Sequence, residues 1–148
     1  MIDRFDGDYA FLSNFYPSLI FDSNDGFVYP TVEHFFQAKK SMILKEREMI
    51  SKADTPGQAK RMGRKVQLRS DWEDIKLFVM EDALRIKFSK PKFKEALLAT
   101  GDEELVEGNW WGDTFWGVCK GVGENNLGKL LMKIREDFRN EFRNITKR

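Results

Sequence analysis

Apolar positions along this chain change their spacing several times, and each change marks an element. Leu19-Ile20-Phe21 and Phe27-Val28-Tyr29 are short apolar runs separated by Asn24-Asp25-Gly26. Asp-Gly between such runs suits the positive φ of a tight turn, so a β-hairpin is expected. Pro30-Thr31 then gives way to Val32, Phe35, Phe36 and Ile43, spaced for a helix that Thr31 caps. A second helix opens at Asp54-Thr55-Pro56, with the proline near its first turn, and ends about Gly63. In a third, capped by Ser70 or Asp71, the residues Trp72, Ile75, Phe78, Val79, Ala83, Leu84 and Ile86 mark a buried face. Pro91 starts a short helix through Leu97 and Leu98 that stops at Thr100-Gly101. Residues 105–118 read as extended and irregular. A last helix begins near Asn126 and carries Leu127, Leu130, Leu131, Ile134 and Phe138. The pattern predicts a helix-rich α+β fold with a small β-sheet or hairpin.

Repeats, low-complexity tracts and linker-like stretches are lacking, so a single domain spanning 1–148 is expected. With 41% hydrophobic and 33% charged residues the chain is an ordinary globule rather than a disordered tail. Its net charge of +1 gives no global field for nucleic acid or membrane, so any basic surface must be local. No apolar run approaches the roughly 18 residues of a bilayer span. A single cysteine, Cys119, cannot form an intramolecular disulfide, and MIDRFDGDYA lacks the apolar core of a secretory signal. Reducing cytosol is the expected compartment. One histidine and one cysteine cannot assemble the usual zinc site. A serine or cysteine triad would have to use His34, directly after Glu33, and the chain has no nucleophile elbow. No metal or cofactor is therefore expected, and catalysis falls to carboxylates, lysines, amides and aromatics.

Four segments concentrate such groups. In Phe11-Leu12-Ser13-Asn14-Phe15-Tyr16-Pro17, rings flank a short hydroxyl and amide, a combination that suits a flat heterocycle and equally suits core packing. In Glu33-His34-Phe35-Phe36-Gln37-Ala38-Lys39-Lys40, positions 33, 37 and 40 share one helical face beside an aromatic stripe. Glu33 then lies near the core boundary, where burial would raise its pKa and Lys40 would hold it ionised; a solvated Glu-Lys pair fits the same spacing. Glu107-Gly108-Asn109-Trp110-Trp111-Gly112-Asp113-Thr114-Phe115-Trp116-Gly117 joins tryptophan walls to carboxylates in a glycine-rich stretch, with Asp113 as an acid or base. The basic series Lys60, Arg61, Arg64, Lys65 and Arg69 suits phosphates, and a solvated face as well.

Taken in order, FLSNFYPS, YPTVEHFFQAKK, TPGQAKRMGRKVQLRSDWEDIK, LLATGDEELVEGN, WWGDTFWGVC and NNLGKLLMKIRE resemble the successive signature segments of the NADAR (YbiA-like) family, from about residue 8 to residue 138. The resemblance implies a compact mixed α/β domain that acts on ribose 5-phosphate or ADP-ribose joined to nitrogen. Two activities are implied. One hydrolyses the N-glycosidic bond of early riboflavin-pathway intermediates. The other removes ADP-ribose from modified guanine, including guanine in nucleic acid, as the functional counterpart of an ADP-ribosyltransferase. A binding module that holds ADP-ribose or NAD without cleaving it is the alternative.

By the same resemblance Glu33, Lys40 and Asp113 fall on catalytic positions. Phe11, Ser13, Asn14, Phe15, Gln37, Gly63, Arg64, Trp72, Asn109, Trp111, Trp116 and Asn126 fall on substrate-binding ones. Lys39 beside Lys40 leaves the active lysine open, and Trp110 beside Trp111 leaves open which ring meets the ligand.

Overall fold

The computed structural model describes residues 1–146. The chain forms two compact units. One is Asn14–Lys87; the other joins Met1–Ser13 to Phe88–Arg148.

Within Asn14–Lys87, β1 (Ile20–Phe21) pairs antiparallel with β2 (Val28–Tyr29), Ile20 opposite Tyr29 and Phe21 opposite Val28. Ile20 and Tyr29 are buried, while Phe21 and Val28 face outward. The turn between them has Gly26 at φ +78. It is tied by Asp22 Oδ1 accepting from Asn24 N and by Asp25 Oδ1 accepting from Phe27 N, both at 2.9 Å. Asp22 pairs with Lys39, and Asp25 takes the Tyr29 hydroxyl at 2.6 Å and the Arg47 guanidinium at 3.5 Å. Through Lys39 and Arg47 these buried charges fasten the hairpin to the helical segments after it. Burial and the Asp25 hydrogen bond push the Tyr29 hydroxyl far above its ordinary range.

The helix after Pro30 is α1 (Val32–Ala38), and Thr31 caps it by accepting from His34 N at 3.1 Å. Such a cap is worth about 0.5–2 kcal/mol. The helix is shorter than its apolar spacing predicts. Lys40 N and Ser41 N close tighter turns onto Gln37 O and Ala38 O, and Ile43, half exposed, precedes α2 (Leu44–Ser51) instead of continuing α1. The α2 helix escapes the spacing argument because only Arg47 and Ile50 on it are buried. Next, α3 (Pro56–Gly63) starts as expected, with Thr55 accepting from Gln58 N. Both α2 and α3 pack on α1. The long α4 (Trp72–Ser89) buries Trp72, Met80, Ala83 and Leu84, but Phe78, expected in that face, is 70% exposed. Asp71 turns its carboxylate to Arg69 at 2.7 Å.

In the other unit, a 3-10 helix over Gly7–Leu12, which the apolar spacing does not predict, precedes α5 (Pro91–Ala99) and α6 (Asn126–Thr146), which pack on each other. Gly101 at φ +65 ends α5 in the left-handed turn that glycine allows. The stretch expected to be irregular contains the two-residue strands β3 (Gly108–Asn109) and β4 (Val118–Cys119), paired parallel, with turns between them. Leu97, Leu105, Leu127, Leu131 and Ile134 are buried. No helix among the described residues is long and apolar enough to cross a membrane.

Candidate functional site

Every residue of α1 is buried, including Glu33 at 7% and Gln37 at 4% exposure. This removes the solvated Glu-Lys pair and places Glu33 deeper than the core boundary expected from spacing. The carboxylate is held from its own helix, since Gln37 Nε2 donates to Glu33 Oε1 at 2.8 Å. Its backbone N donates to Asn14 O at 3.1 Å, which brings the Ser-Asn segment to the start of α1. The Asn14 side chain turns elsewhere: Nδ2 lies 3.5 Å from Met80 Sδ, and Oδ1 is buried without a hydrogen-bond partner. Phe15 is half exposed.

Gly63 packs directly on the Gln37 amide. Lys40 lies just beyond the helix rather than on it, its Nζ 5.9 Å from the Phe36 ring centre, and Phe36 meets Trp72 edge-on at 5.0 Å. Burial lowers the Lys40 pKa; the Glu33 charge opposes that, and Arg64, Lys60 and Lys76 reinforce it. Glu33, Gln37, Lys40, Gly63, Arg64 and Trp72 are thus gathered in one unit. The two lysines differ in their surroundings. Lys39 is committed to Asp22 and Asp25 at the hairpin, whereas Lys40 is directed toward Phe36.

Beside this group a cleft of about 390 Å3 is lined by Gln58, Arg61, Met62, Arg64 and Lys65. Residues 55–70 contain no acidic side chain. Among the described residues Lys60, Arg61, Arg64 and Lys65 have no acidic partner. Arg61 and Lys65 stood in the basic series but not among the expected binding residues. The acid-free stretch was the signal for them. Phe36, the ring shared by Lys40 and Trp72, was likewise visible only as an apolar position.

His34 has a structural place. Thr31 Oγ1 lies 2.8 Å from Nδ1, and Nε2 donates to Ala53 O at 3.0 Å. Burial lowers its pKa. The ring is occupied at both nitrogens. No cluster of three or more histidine, cysteine, aspartate or glutamate side chains suited to a metal occurs among the described residues.

The remaining expected residues lie in the other unit. Phe11 sits on the 3-10 helix, and Ser13 ends it by donating its N–H to Ala10 O. Asn109 closes the tryptophan loop: its Oδ1 accepts from Asp113 N at 3.0 Å, and its Nδ2 donates to Asp113 O at 2.8 Å and to Glu107 Oε2 at 3.0 Å. Asp113 Oδ1 accepts from Phe115 N at 3.1 Å and Trp116 N at 2.9 Å. Asn126 Nδ2 donates to Phe115 O at 3.0 Å. Gly112 at φ +87 lets the chain reverse at the tip. Trp110 and Trp111 meet at 85° and are 83% and 51% exposed.

Comparison with known proteins agrees over nearly the whole length. A NADAR domain model matches residues 3–139. The N-glycosidase YbiA of Escherichia coli (strain K12) is 42% identical over 137 residues, covering 88% of this chain and 82% of that protein. An N-glycosidase of Nostoc punctiforme is 41% identical over 139 residues, covering 89% of this chain and 87% of its own. A riboflavin biosynthesis protein of Vibrio vulnificus is 40% identical over 137 residues, which are 90% of this chain and 36% of that longer protein. The NMR structure of the Escherichia coli protein YbiA matches with a TM-score of 0.82 at 40% identity, covering 95% of this chain and 88% of that one.

Proposed function

This chain belongs to the NADAR family, and on that premise we propose that it is an N-glycosidase that hydrolyses the bond between ribose C1′ and a base-like nitrogen. The observation that carries the reading is Glu33: a buried carboxylate held by an amide and coupled to a lysine whose pKa is lowered.

Breaking C1′–N develops positive charge on the ribose and negative charge on the departing nitrogen. Glu33 faces the first need. A carboxylate away from bulk water stabilises a developing cation far more than a solvated one does. Lys40, with its pKa lowered by burial, is partly neutral at lower pH than an exposed lysine and serves as a nucleophile toward C1′ of an opened sugar. Asp113 keeps a proton-transfer role through Oδ2, since its Oδ1 is occupied in the turn. Trp72 and Phe36 supply the apolar wall beside Lys40.

Arg64 and the cleft it shares with Arg61 and Lys65 take the phosphate end of the substrate. Two conjugates fit this chemistry. A ribosylaminopyrimidine phosphate agrees with the Vibrio vulnificus relative named for riboflavin biosynthesis. An ADP-ribosyl guanine, free or in nucleic acid, agrees with more unpaired cations than one phosphate needs.

Incubation of the protein with each conjugate, with products read by mass spectrometry, tests the reading. Release of free base and ribosyl product supports it and names the substrate. Tight binding of both conjugates without cleavage replaces it with a binding module.

A further inference from the structure

We propose that Gly63 and Gln37 are positioning residues for Glu33: the missing side chain at 63 leaves room for the Gln37 amide to stand where it holds the carboxylate. The inference rests on the glycosidase reading above for its catalytic consequence. The resemblance put both residues among those that touch substrate, and the geometry gives them another task.

The pair Glu33 and Gln37 is spaced i, i+4 on α1, where an exposed Gln and Glu would exchange among rotamers. Here the amide is confined from the far side by α3. A Cβ built on Gly63 would lie 1.9 Å from Gln37 Oε1 and 2.8 Å from its Cδ, well inside van der Waals contact. Any side chain at 63 must therefore displace the amide, and with it the Nε2 that donates to Glu33 Oε1 at 2.8 Å. Gly63 lies in α3 with helical backbone, so its requirement is steric and not conformational.

The hydrogen bonding of the amide points the same way. Gln37 Oε1 is buried without a hydrogen-bond partner, although the residue is only 4% exposed. A buried acceptor left orphaned is unfavourable, and an apolar side chain would fill the same space without that penalty. What the amide provides in return is its donor. Bonding through Nε2 fixes the direction of Oε1. Around this arrangement stand Lys60 from α3, Arg64 just after it and Lys76 from α4, all cationic and all acting on the Lys40 amine with which Glu33 is coupled.

A double-mutant cycle between Gly63→Ala and Gln37→Ala tests the device. Shortening Gln37 removes the atoms at 1.9 and 2.8 Å and leaves only its Cβ, 3.1 Å from the new methyl. Gly63→Ala alone is expected to lower kcat by about 10- to 100-fold with KM within about threefold, as expected for misplacement of a catalytic group. Gln37→Ala should do the same, and the double variant should be no worse than Gln37→Ala alone. A second readout needs no substrate. The 13C resonance of the Glu33 carboxyl, assigned by its loss in Glu33→Gln, should move alike in both single variants and no further in the double. Additive losses, a rise in KM at unchanged kcat, or a Glu33 resonance unmoved by Gly63→Ala would each overturn the proposal. If the native protein turns over neither conjugate, the glycosidase reading fails, and the resonance still decides whether Gly63 positions Glu33.

Discussion

Glu33 and Asp113 are both carboxylates in aromatic-rich segments, yet the chain holds them in opposite ways. Glu33 sits on a wholly buried helix and is fixed by tertiary packing, through an amide that α3 confines. Asp113 sits on a partly exposed loop and is fixed by its own neighbours, with Asn109 bracketing its backbone and two adjacent N–H groups donating to Oδ1. A buried carboxylate is unfavourable unless something uses or satisfies it, whereas a loop carboxylate that closes a turn already has a structural reason to exist. The difference ranks the two: chemistry is expected to depend more on the helix than on the loop.

The sharpest way to break this ranking is Glu33→Gln. It should leave ligand binding and folding in place and lower turnover by at least about 100-fold, because a carboxamide cannot stabilise the developing cation. Unchanged turnover in steady-state kinetics would remove Glu33 from the reaction.

Next in size is Lys40. Its neutral amine would displace the departing nitrogen at C1′ of the opened ribose, forming a C1′=Nζ bond that water then hydrolyses. Borohydride added during turnover should fix an adduct on the peptide carrying Lys40, and Lys40→Arg should lose it along with about 10- to 100-fold of the rate. A lowered pKa means the neutral form accumulates as pH rises toward a midpoint below the ordinary 10.5, so trapping should increase with pH through that midpoint. Near-normal turnover in Lys40→Arg with no adduct would leave the lysine as an electrostatic partner and water as the direct nucleophile.

On the loop, Asp113→Asn keeps an acceptor for Phe115 N and Trp116 N but removes the charge, while Asp113→Ala removes both. With a proton-transfer role for Oδ2, each should cost about tenfold in kcat. Full activity in Asp113→Asn would reduce Asp113 to the residue that closes the turn.

A smaller effect concerns stability. Burial keeps the His34 pKa below its ordinary 6.5, so the unfolded chain binds this proton first on acidification. The stabilisation is full above pH 6.5 and is lost as pH falls from there through the folded value. Melting temperature should drop across that range, and the drop should shrink in His34→Gln; equal pH profiles would place the effect elsewhere. The smallest effect expected is none: activity should be unchanged by a chelator, and loss restored by one divalent ion would overturn that.

Much of the fold is legible in the chain because local chemistry decides it. Thr31 and Thr55 cap where hydroxyl capping predicts, prolines open α3 and α5, and Asn24-Asp25-Gly26 reverses the hairpin. The misses share one cause. Where α1 stops depends on Lys39 being drawn to Asp22 and Asp25 and on Arg69 N donating to Lys40 O, contacts between residues far apart in sequence. Helical periodicity alone carries on to Ile43. Phe78 repeats the error from the other side, an apolar residue at core spacing that faces solvent. The same limit applies to the site. Glu33, Gln37 and Lys40 stand out by spacing, but that Gly63 abuts Gln37 is a fact of α3 lying on α1, and no pattern within either segment records it.

The four tryptophans also divide by exposure, with Trp72 at 5% and Trp110 at 83%. An indole shielded from water emits to the blue of one in contact with it, so Trp72 and Trp110 are spectrally distinct reporters. An aqueous quencher such as acrylamide will extinguish Trp110 and Trp111 first and the half-buried Trp116 after them, and leave the emission of Trp72, whose ring touches Phe36, to the last. Ligand arriving beside Lys40 can then be followed by fluorescence without attaching any dye.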